Sequence, residues 1–372
     1  MALEEQTISR SATEDAHEKA PKPGKLSDMR GSNWKYIFKR ALSEFTNDGC
    51  IDLAASLTYF TVLSIFPGLL AVVSLLGVFG QGQQTTNAIL NFLQDYAPAE
   101  MLSLLEDPIT QLTSSNTAGL ALVTGVVGAL WTASGYVGAF GRSMNKIYGV
   151  VEGRPIWKLR PFNMLVTATM VLIVVSMMLV LLSSEDVLTT VQDAIPGVEL
   201  GSFITIWMWL RYPIMVILAV ILISLLYYAT PNIKQPKFRF LTPGAAIALV
   251  VMAISALGFS FYVSNFGSYN ATYGLIGGVI VMLLFIWIMN NVLLLGAQID
   301  AEIQRGRELQ AGIKAEEELQ LPPRDDTMAI KQQEKKENLI EEGRKIRLSH
   351  SGVDFKQIAK DQEKDSNSSK SL

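Results

Sequence analysis

Long runs of apolar residues, separated by short polar segments, fill the middle of this 372-residue chain. Residues 53–300 contain only nine Lys or Arg and ten Asp or Glu residues, whereas both ends of the chain are rich in charge. A water-soluble domain needs a polar face on each surface element, and these runs lack one, so lipid is the expected solvent of the middle part. The pattern predicts an all-α, polytopic membrane protein.

Six of these apolar stretches are long enough to cross a hydrocarbon core of about 30 Å as helices that rise about 1.5 Å per residue. We predict transmembrane helices at about 53–80, 117–140, 161–183, 203–229, 243–265 and 274–299. The first contains Pro67 and the fourth contains Arg211. Each of these two helices could therefore consist of two shorter pieces.

The basic residues indicate the orientation. They occur in every second segment between the predicted helices, namely in loops 141–160 and 230–242 and in the segment after residue 300. The other three loops contain none. Because cytoplasmic loops carry an excess of Lys and Arg, we expect both termini in the cytoplasm and a multi-pass location in the cell (inner or plasma) membrane.

The flanking segments define the expected domains. Residues 1–32 resemble a disordered cytoplasmic tail, and residues 33–304 form the predicted six-helix transmembrane domain. This domain begins with an amphipathic interfacial helix at 33–50, and its long outer loop 81–116 contains apolar residues at helical spacing. Residues 305–372 are a charged cytoplasmic tail, predicted to be partly helical and mostly disordered.

The composition excludes several kinds of chemistry. The net charge of −3 gives no basic excess for nucleic acid. Cys50 is the single cysteine, and both histidines, His17 and His350, lie in the tails, so we predict no metal site and no cofactor. No phosphate loop or nucleophile elbow occurs either. We therefore expect no catalytic residues and no enzyme activity.

Polar residues inside the apolar stretches are the functional candidates, because exposing them to lipid costs free energy. Arg211 either faces a substrate or extends to the outer interface. Asn290 and Gln298 either bond neighbouring helices or line a cavity. The full set of substrate-pathway candidates comprises Tyr59, Pro67, Arg142, Asn145, Arg211, Tyr273, Asn290 and Gln298.

Two further groups favour structural roles. Glu44, Asp48 and Asp52 lie four residues apart on one helix face, where they are expected to pair with basic residues of the same side, Arg142, Lys146 or Lys158. Small residues allow close helix packing, and the predicted packing glycines are Gly125, Gly128, Gly135, Gly138, Gly274 and Gly278.

Four blocks of residues carry a family resemblance. They are Ala54–Phe60 with Ser64–Pro67; Trp131–Gly135 with Asn145–Gly149; Leu226–Tyr228 with Pro231 and Thr242–Gly244; and Tyr273–Gly274 with Leu294–Gln298. Over about 36–305 the chain resembles the YihY/BrkB family of inner-membrane proteins, although Gln298 stands where that family often has an acid. The resemblance implies six transmembrane helices, and it brings the names virulence factor BrkB and ribonuclease BN, the latter a misassignment.

Two functions remain open from the sequence. One is a permease or a transporter that handles lipids or other amphiphiles, as suspected for some members of the family. The other is a membrane scaffold whose charged C-terminal tail recruits a cytoplasmic partner. Membrane lipid is the expected partner in both, and homo-oligomers are compatible with both. An intramembrane enzyme is the weakest reading, because only Asp, Tyr and Arg chemistry is available.

Overall fold

A computed structural model of the chain describes residues 28–29, 31–79, 118–194, 201–235, 240–265 and 269–350. These residues form helices joined by short connections, with one isolated β-bridge between Ile233 and Pro323. The all-α fold class is therefore confirmed. The predicted tail 1–32, the outer loop 81–116 and the end of the C-terminal tail lie largely outside the described residues.

The helices in the described part are numbered here in chain order. They are α1 (Gly31–Asn47), α2 (Cys50–Phe79), α3 (Ala118–Ile147), α4 (Ile156–Leu182), α5 (Glu185–Ala194), α6 (Gly201–Ala229), α7 (Pro243–Asn265), α8 (Tyr269–Gln310) and α9 (Thr327–His350).

Each predicted transmembrane segment falls on one of these helices. Helix α2 is continuous through Pro67, and α6 is continuous through Arg211 and Pro213, so neither consists of two pieces. Helix α8 continues past the apolar segment 274–299 into the charged residues, as the sequence predicts, but it ends at Gln310 and not near 319, before Leu321-Pro322-Pro323. Gly312, in the left-handed conformation (φ 79°), ends it earlier.

Four helices of the described part are long and apolar enough to cross a membrane. They are Ile156–Leu182, Gly201–Ala229, Pro243–Val263 and Gly277–Gln310. The described apolar part of α2, Cys50–Ser64, is shorter than a full crossing. The structure thus describes an integral membrane protein with several crossings, and the count of six stays a prediction.

The buried core lies at one end of the helices. It gathers the beginning of α2 and α7 and the end of α3, α6 and α8, around side chains such as Phe140, Met144 and Leu294, which are completely buried. Phe140 stacks on Tyr227 with a centroid distance of 6.1 Å. Dense packing at this end fixes the relative positions of five helices.

Elsewhere the helices present apolar side chains outward. Trp209 is 79% exposed, and Leu257 and Phe261 of α7 are 73% and 70% exposed. A water-soluble monomer rarely exposes a continuous apolar surface of this kind. In lipid the same surface is at no disadvantage, and so it agrees with a location within the bilayer.

Helix α1 lies against the last membrane helix. Ile37 and Ala41 are buried against Ile299 and Ile303 of α8. On the other side of α1, Phe38 is 60% exposed. A helix at the membrane interface packs one apolar face on the protein and presents apolar residues to the lipid, and α1 has both features.

Candidate functional site

Asn145, at the end of α3, joins two connections at the packed end of the molecule. Its side-chain nitrogen donates to Glu152 Oε2 at 2.9 Å, and its oxygen accepts from the backbone N–H of Asn232 at 2.7 Å. Arg154 forms two further bonds of 2.7 Å to the Glu152 carboxylate and donates to the carbonyl of Thr230 at 2.8 Å. Asn145, a predicted pathway residue, is thus buried in a network of loop contacts.

The charge of Glu152 belongs to this network. Burial raises the pKa of its carboxyl group, but the hydrogen bonds and the positive charge of Arg154 outweigh burial, so the pKa lies below its ordinary value. The carboxylate is therefore ionised at neutral pH and holds Arg154 in place.

Residues 311–326, called here the return segment, fold back from the end of α8 onto the same connections. Arg324 donates to the carbonyl oxygens of Ile233 at 2.8 Å and Tyr228 at 2.5 Å. The side chain of Asn232 donates to the carbonyl of Asp325 at 2.7 Å and accepts from its N–H at 3.2 Å. These bonds satisfy carbonyl groups at the end of α6 that a helix terminus leaves open.

Asn290 connects three membrane helices. Its side-chain oxygen accepts from the hydroxyl of Tyr136 on α3 at 3.1 Å, and its nitrogen donates to Thr58 Oγ1 on α2 at 3.3 Å. Asn290 is 3% exposed. Its neighbour Asn291 bonds only within α8, to the carbonyl of Trp287. The structure therefore places Asn290 in interhelical hydrogen bonding, one of the two readings of the sequence.

Gln298 is also enclosed, with 1% of its surface exposed. Its side-chain oxygen accepts from Cys50 Sγ at 4.0 Å, and it hydrogen-bonds Asp48 between α1 and α2. Burial, followed by repulsion from Glu44, raises the pKa of Asp48 above its ordinary value. Gln298 thus lies among polar groups near the packed end, apart from any lipid-facing surface.

A buried ion cluster joins α1, α8 and the return segment. Glu302, 1% exposed, accepts two bonds from Arg305 Nε at 3.1 and 3.0 Å, and Arg40 Nε lies 3.5 Å from its carboxylate. Arg305 also donates to the carbonyl of Ala315 at 2.7 Å. No sequence pattern indicates this cluster, because Glu302 and Arg305 look like ordinary charges of a cytoplasmic helix.

A different polar group lies on the opposite side of α3 from this packed core. Trp131, Gly135, Gly138 and Arg142 follow one another at spacings of four, three and four residues, so they share one face of α3. The two glycines form a shallow floor between the large side chains of Trp131 and Arg142. We call this floor and its walls the α3 groove.

The walls of the α3 groove come from the neighbouring helices. A methyl group on Gly135 would lie 3.3 Å from the ring of Phe60 on α2. A methyl group on Gly138 would lie 3.2 Å from Asn163 Nδ2 on α4 and 3.7 Å from a terminal nitrogen of Arg142. Two nitrogen donors therefore face the same point above Gly138.

Two arginines lie over aromatic rings in this groove. The Arg142 guanidinium is 5.7 Å from the ring centre of Phe60, and that of Arg160 is 5.1 Å from the ring centre of Trp131. The two guanidinium groups repel each other electrostatically. Over the described part of the chain, neither forms an ion pair or a hydrogen bond.

The acids expected to pair with Arg142 bind elsewhere. Glu44 pairs with Arg40 at 3.3 Å, and Lys158 pairs with Asp325 of the return segment at 3.3 Å. No pairing of Arg142 with the acidic face of Glu44, Asp48 and Asp52 is seen among the described residues, whereas Lys146, another of the predicted partners, lies close enough for its charge to lower the pKa of Asp48. The sequence showed acids and bases on the same side, but the helix faces they share depend on tertiary packing.

The remaining pathway candidates are dispersed. Tyr59 is 62% exposed, and its ring contacts Phe60 edge-on at 5.4 Å, so it adjoins the α3 groove. Arg211 lies on α6, where it donates to the hydroxyl of the adjacent Tyr212 at 3.0 Å. Its Nε is buried without a hydrogen-bond partner in the described part. The side chains of Pro67 and Tyr273 lie outside the described residues.

The predicted packing glycines behave differently from one another. Gly135 and Gly138 carry the groove contacts, whereas a methyl group on Gly128 or Gly278 would meet nothing within 4 Å. The side-chain surroundings of Gly125 and Gly274 fall outside the described residues. The tightest helix contact involves two glycines absent from the prediction, Gly244 and Gly296, at the crossing of α7 and α8.

Among the described residues, no group of three or more His, Cys, Asp or Glu side chains could hold a metal ion. The α3 groove brings together several nitrogen donors that could bind a ligand. Guanidinium and amide N–H groups near aromatic rings suit an anionic or polar ligand with an apolar part.

The chain is similar to known proteins over most of its length. It is 32% identical to the putative ribonuclease-like protein YfkH of Bacillus subtilis, over 73% of this chain and 97% of that protein. A UPF0761 membrane protein of Rhodospirillum centenum is 26% identical over 77% of this chain and 60% of its own length. Another from Aggregatibacter aphrophilus is 23% identical over 74% of this chain and 94% of its own length.

No solved structure matches the chain. The sequence profile of the family described as Virulence factor BrkB matches residues 41–320, which include every membrane helix named above, the α3 groove and most of the return segment. The chain is an integral membrane protein that belongs to the virulence factor BrkB family.

Proposed function

We propose that this protein is a transporter that moves an amphiphilic molecule along the α3 groove. The observation that carries the proposal is the pair of guanidinium groups, Arg142 and Arg160, that lie in a membrane helix groove without a carboxylate partner among the described residues. A charged group costs from about 2.5 to more than 10 kcal/mol at the centre of a bilayer, and less toward its surface. Such a cost points to a ligand that offsets it.

The arrangement of the other polar groups supports the groove as the pathway. Asn290, Gln298 and Asn145 are almost completely buried and hydrogen-bonded. They hold the packed end together and offer no free donor to a substrate. Tyr59 and Arg142, in contrast, are exposed beside the groove. We therefore assign the substrate path to the face formed by α2, α3 and α4.

The proposal can be tested by reconstitution into vesicles. Purified protein is inserted into liposomes that contain a fluorescent phospholipid, and its transfer between leaflets is followed by a quencher that reaches only the outer leaflet. We expect faster transfer than in protein-free liposomes, and a loss of most of the difference in Arg142→Gln. Arg344→Gln, an exposed arginine on α9, is the matched control.

Equal transfer with and without wild-type protein, also for a labelled fatty acid and a labelled lysophospholipid, would count against a role in amphiphile transport. Equal transfer by wild type and Arg142→Gln would count against the groove as the pathway.

A scaffold is the second candidate function. It is favoured by α9, where Leu339, Ile340 and Ile346 are 58%, 56% and 58% exposed outside the membrane helices. Exposed apolar residues on a charged helix suit a protein partner. The scaffold predicts that deletion of residues 331–372 abolishes the cellular phenotype while Arg142→Gln leaves it intact. Transport through the groove predicts that Arg142→Gln abolishes the phenotype and that the deletion of residues 331–372 leaves it intact.

The proposal includes no ribonuclease activity, although one relative is named ribonuclease-like. This part of the proposal rests on the sequence. Both histidines lie in the terminal segments and only one cysteine is present, so the residue types of a usual metal site are scarce. Purified protein incubated with RNA and Mg²⁺ or Mn²⁺ should leave the RNA intact. Cleavage that persists through a second purification step and disappears in a variant would contradict this part.

We also propose an inner or plasma membrane location with both termini in the cytoplasm. The support is the strict alternation of basic loops along the chain. Reporter fusions at residue 350 and after residue 235 should both show cytoplasmic activity, whereas a fusion after residue 183 should show activity outside. Outside activity of either of the first two fusions, or cytoplasmic activity of the fusion after residue 183, would contradict the orientation.

A further inference from the structure

We infer that the α3 groove binds the phosphate group of a lipid, held between Arg142, Arg160 and Asn163, with the acyl chains left in the bilayer. The inference rests on the proposed function for its location, and it names the chemical class of the substrate at that same site.

The first step concerns charge. The groove holds two positive groups that repel each other, and no carboxylate of the described residues pairs with either. An anion between them replaces this repulsion by two attractions. Guanidinium groups bind phosphate with two parallel N–H donors each, and such charge-assisted bonds are about twice as strong as neutral ones.

The second step concerns the donors above Gly138. Arg142 and Asn163 each direct a nitrogen to within 4 Å of the position that a methyl group on Gly138 would occupy. Asn163 is 5% exposed, so most of its side chain is enclosed by the helices beside the groove. A ligand oxygen in van der Waals contact with Gly138 would lie close to both nitrogens, and a larger side chain at this position would narrow the space.

The third step concerns depth. Arg142 lies near the end of α3, yet its guanidinium contacts the surroundings of Gly138, about 13 Å from the helix end at Ile147. Arg160 lies in the second turn of α4, yet its guanidinium lies over Trp131, near the middle of the 30-residue helix α3. An arginine that merely avoids lipid extends toward the nearer membrane surface. These two extend the other way, which leaves a positive site between Gly138, two residues inside the predicted membrane boundary at 140, and Trp131.

The fourth step concerns the apolar part of the ligand. Exposed apolar side chains flank the groove on two of its helices: Leu63 (46%), one turn after Phe60 on α2, and Val127 (49%), one turn before Trp131 on α3. Acyl chains can stay against this surface while only the headgroup enters the groove. Free phosphate gains nothing from such a surface, and it would have to leave water to reach the arginines. The arrangement therefore fits a phospholipid better than an inorganic anion.

Lipid binding is measured by native mass spectrometry of the full chain in detergent. The probes are phosphatidylglycerol, diacylglycerol as the lipid without phosphate, and inorganic phosphate as a competitor. We expect retention of phosphatidylglycerol but not of diacylglycerol, and no displacement by millimolar inorganic phosphate. Arg142→Gln with Arg160→Gln should weaken phosphatidylglycerol binding roughly tenfold or more, because it removes two charge-assisted contacts.

Gly138→Ala is the second variant, and Gly128→Ala on the same helix is its matched control. The methyl group on Gly138 would occupy the point faced by Arg142 and Asn163, whereas the one on Gly128 meets nothing within 4 Å. We expect weaker phosphatidylglycerol binding in Gly138→Ala and unchanged binding in Gly128→Ala. Circular dichroism and thermal unfolding show whether each variant is folded.

Three outcomes would overturn the inference: equal phosphatidylglycerol binding by wild type and the folded double arginine variant, equal retention of diacylglycerol, or displacement by inorganic phosphate at concentrations near that of the lipid. Lipid bound as expected, together with no transfer in the vesicle assay, would refute transport while the phosphate site stands. Transfer that is lost in Arg142→Gln without any phosphate-dependent binding would refute the site and leave transport intact.

Discussion

At the scale of single residues, arginine has two roles in this protein, and its neighbours decide which. Arg154, Arg305 and Arg324 are anchored by carboxylates or carbonyl oxygens at the packed end. Arg142 and Arg160 lie over aromatic rings, and neither forms an ion pair or a hydrogen bond within the described part. A paired guanidinium stabilises the fold, whereas an unpaired one at membrane depth lowers stability unless a ligand binds it.

Asn290 allows a direct test of interhelical hydrogen bonding. We expect Asn290→Ala to lower the free energy of unfolding by about 1–2 kcal/mol, because it removes bonds to α2 and α3 and leaves Tyr136 without its acceptor. Asn291→Ala removes a bond within α8 only and should cost less. Unfolding in mixed micelles measures both. A larger loss for Asn291→Ala would show that the contacts of Asn290 add little.

The lowered pKa of Glu152 leads us to expect that the stability of the protein depends on pH. Its pKa in the folded protein lies below the ordinary value of 4.5, so the stabilisation from the ionised carboxylate is present above pH 4.5 and is lost as the pH falls through the lower, folded-state pKa. We expect Glu152→Gln to lower the melting temperature by a few degrees at neutral pH, and the difference from wild type to shrink in acid. Glu342→Gln, exposed on α9, should show no such trend.

At the scale of helices, the crossing of α7 and α8 depends on two glycines and one carboxylate. A methyl group on Gly296 would lie 2.6 Å from the carbonyl oxygen of Gly244 and 2.6 Å from the hydroxyl of Tyr227. Asp300 accepts the backbone N–H of Gly244 at 2.7 Å and the hydroxyl of Thr242. It therefore caps the beginning of α7 from a different helix, and this close approach is needed for the cap.

Gly296→Ala should separate the two helices. We expect it to destabilise the protein by roughly 1–3 kcal/mol, because backbone atoms cannot move aside as a flexible side chain can. Gly278→Ala, on the same helix, meets nothing within 4 Å and should be neutral or slightly stabilising. The measurement is the melting temperature of both variants in the same detergent. Equal melting temperatures for the two would contradict the assigned crossing.

At the scale of the whole molecule, tight packing and lipid-exposed surface lie in different places. The return segment links the end of α8 to the connections after α3 and α6 through Arg324, Asp325 and Asn232. It also brings Ala315 to the buried ion cluster of α1 and α8. This segment, outside the predicted transmembrane domain, is therefore part of the folded unit at the packed end.

Two deletions test this conclusion. Removal of residues 311–372 takes away the return segment, and it leaves Arg305 without its carbonyl partner and Asn232 without Asp325. We expect little folded protein in the membrane. Removal of residues 331–372 keeps these contacts and should change the melting temperature by no more than a few degrees. Fluorescence-detected size-exclusion chromatography compares both, and similar monodisperse peaks would show that the return segment is dispensable.

The sequence by itself determined the membrane class, the approximate bounds of the long helices and the family. Apolar runs of this length have no other stable environment than lipid, and helix formation satisfies the backbone locally there. The predicted helix ends were most accurate where a residue type marks a helix terminus, as at Pro243, the first residue of α7. They were poorest at the end of α8, which the sequence places near 319 but which lies at Gln310, just before the left-handed Gly312.

Only the tertiary structure decided which polar residues are satisfied. Asn290 and Gln298 looked like pathway residues because their local sequence is apolar, but partners from distant parts of the chain enclose them, as they also enclose Asn145. Arg142 looked like a member of an ion pair, yet the acids nearby in sequence face other groups. Hydropathy depends on residues in order along the chain, whereas a hydrogen bond or ion pair depends on which helix faces meet, and that is set by packing of the whole molecule.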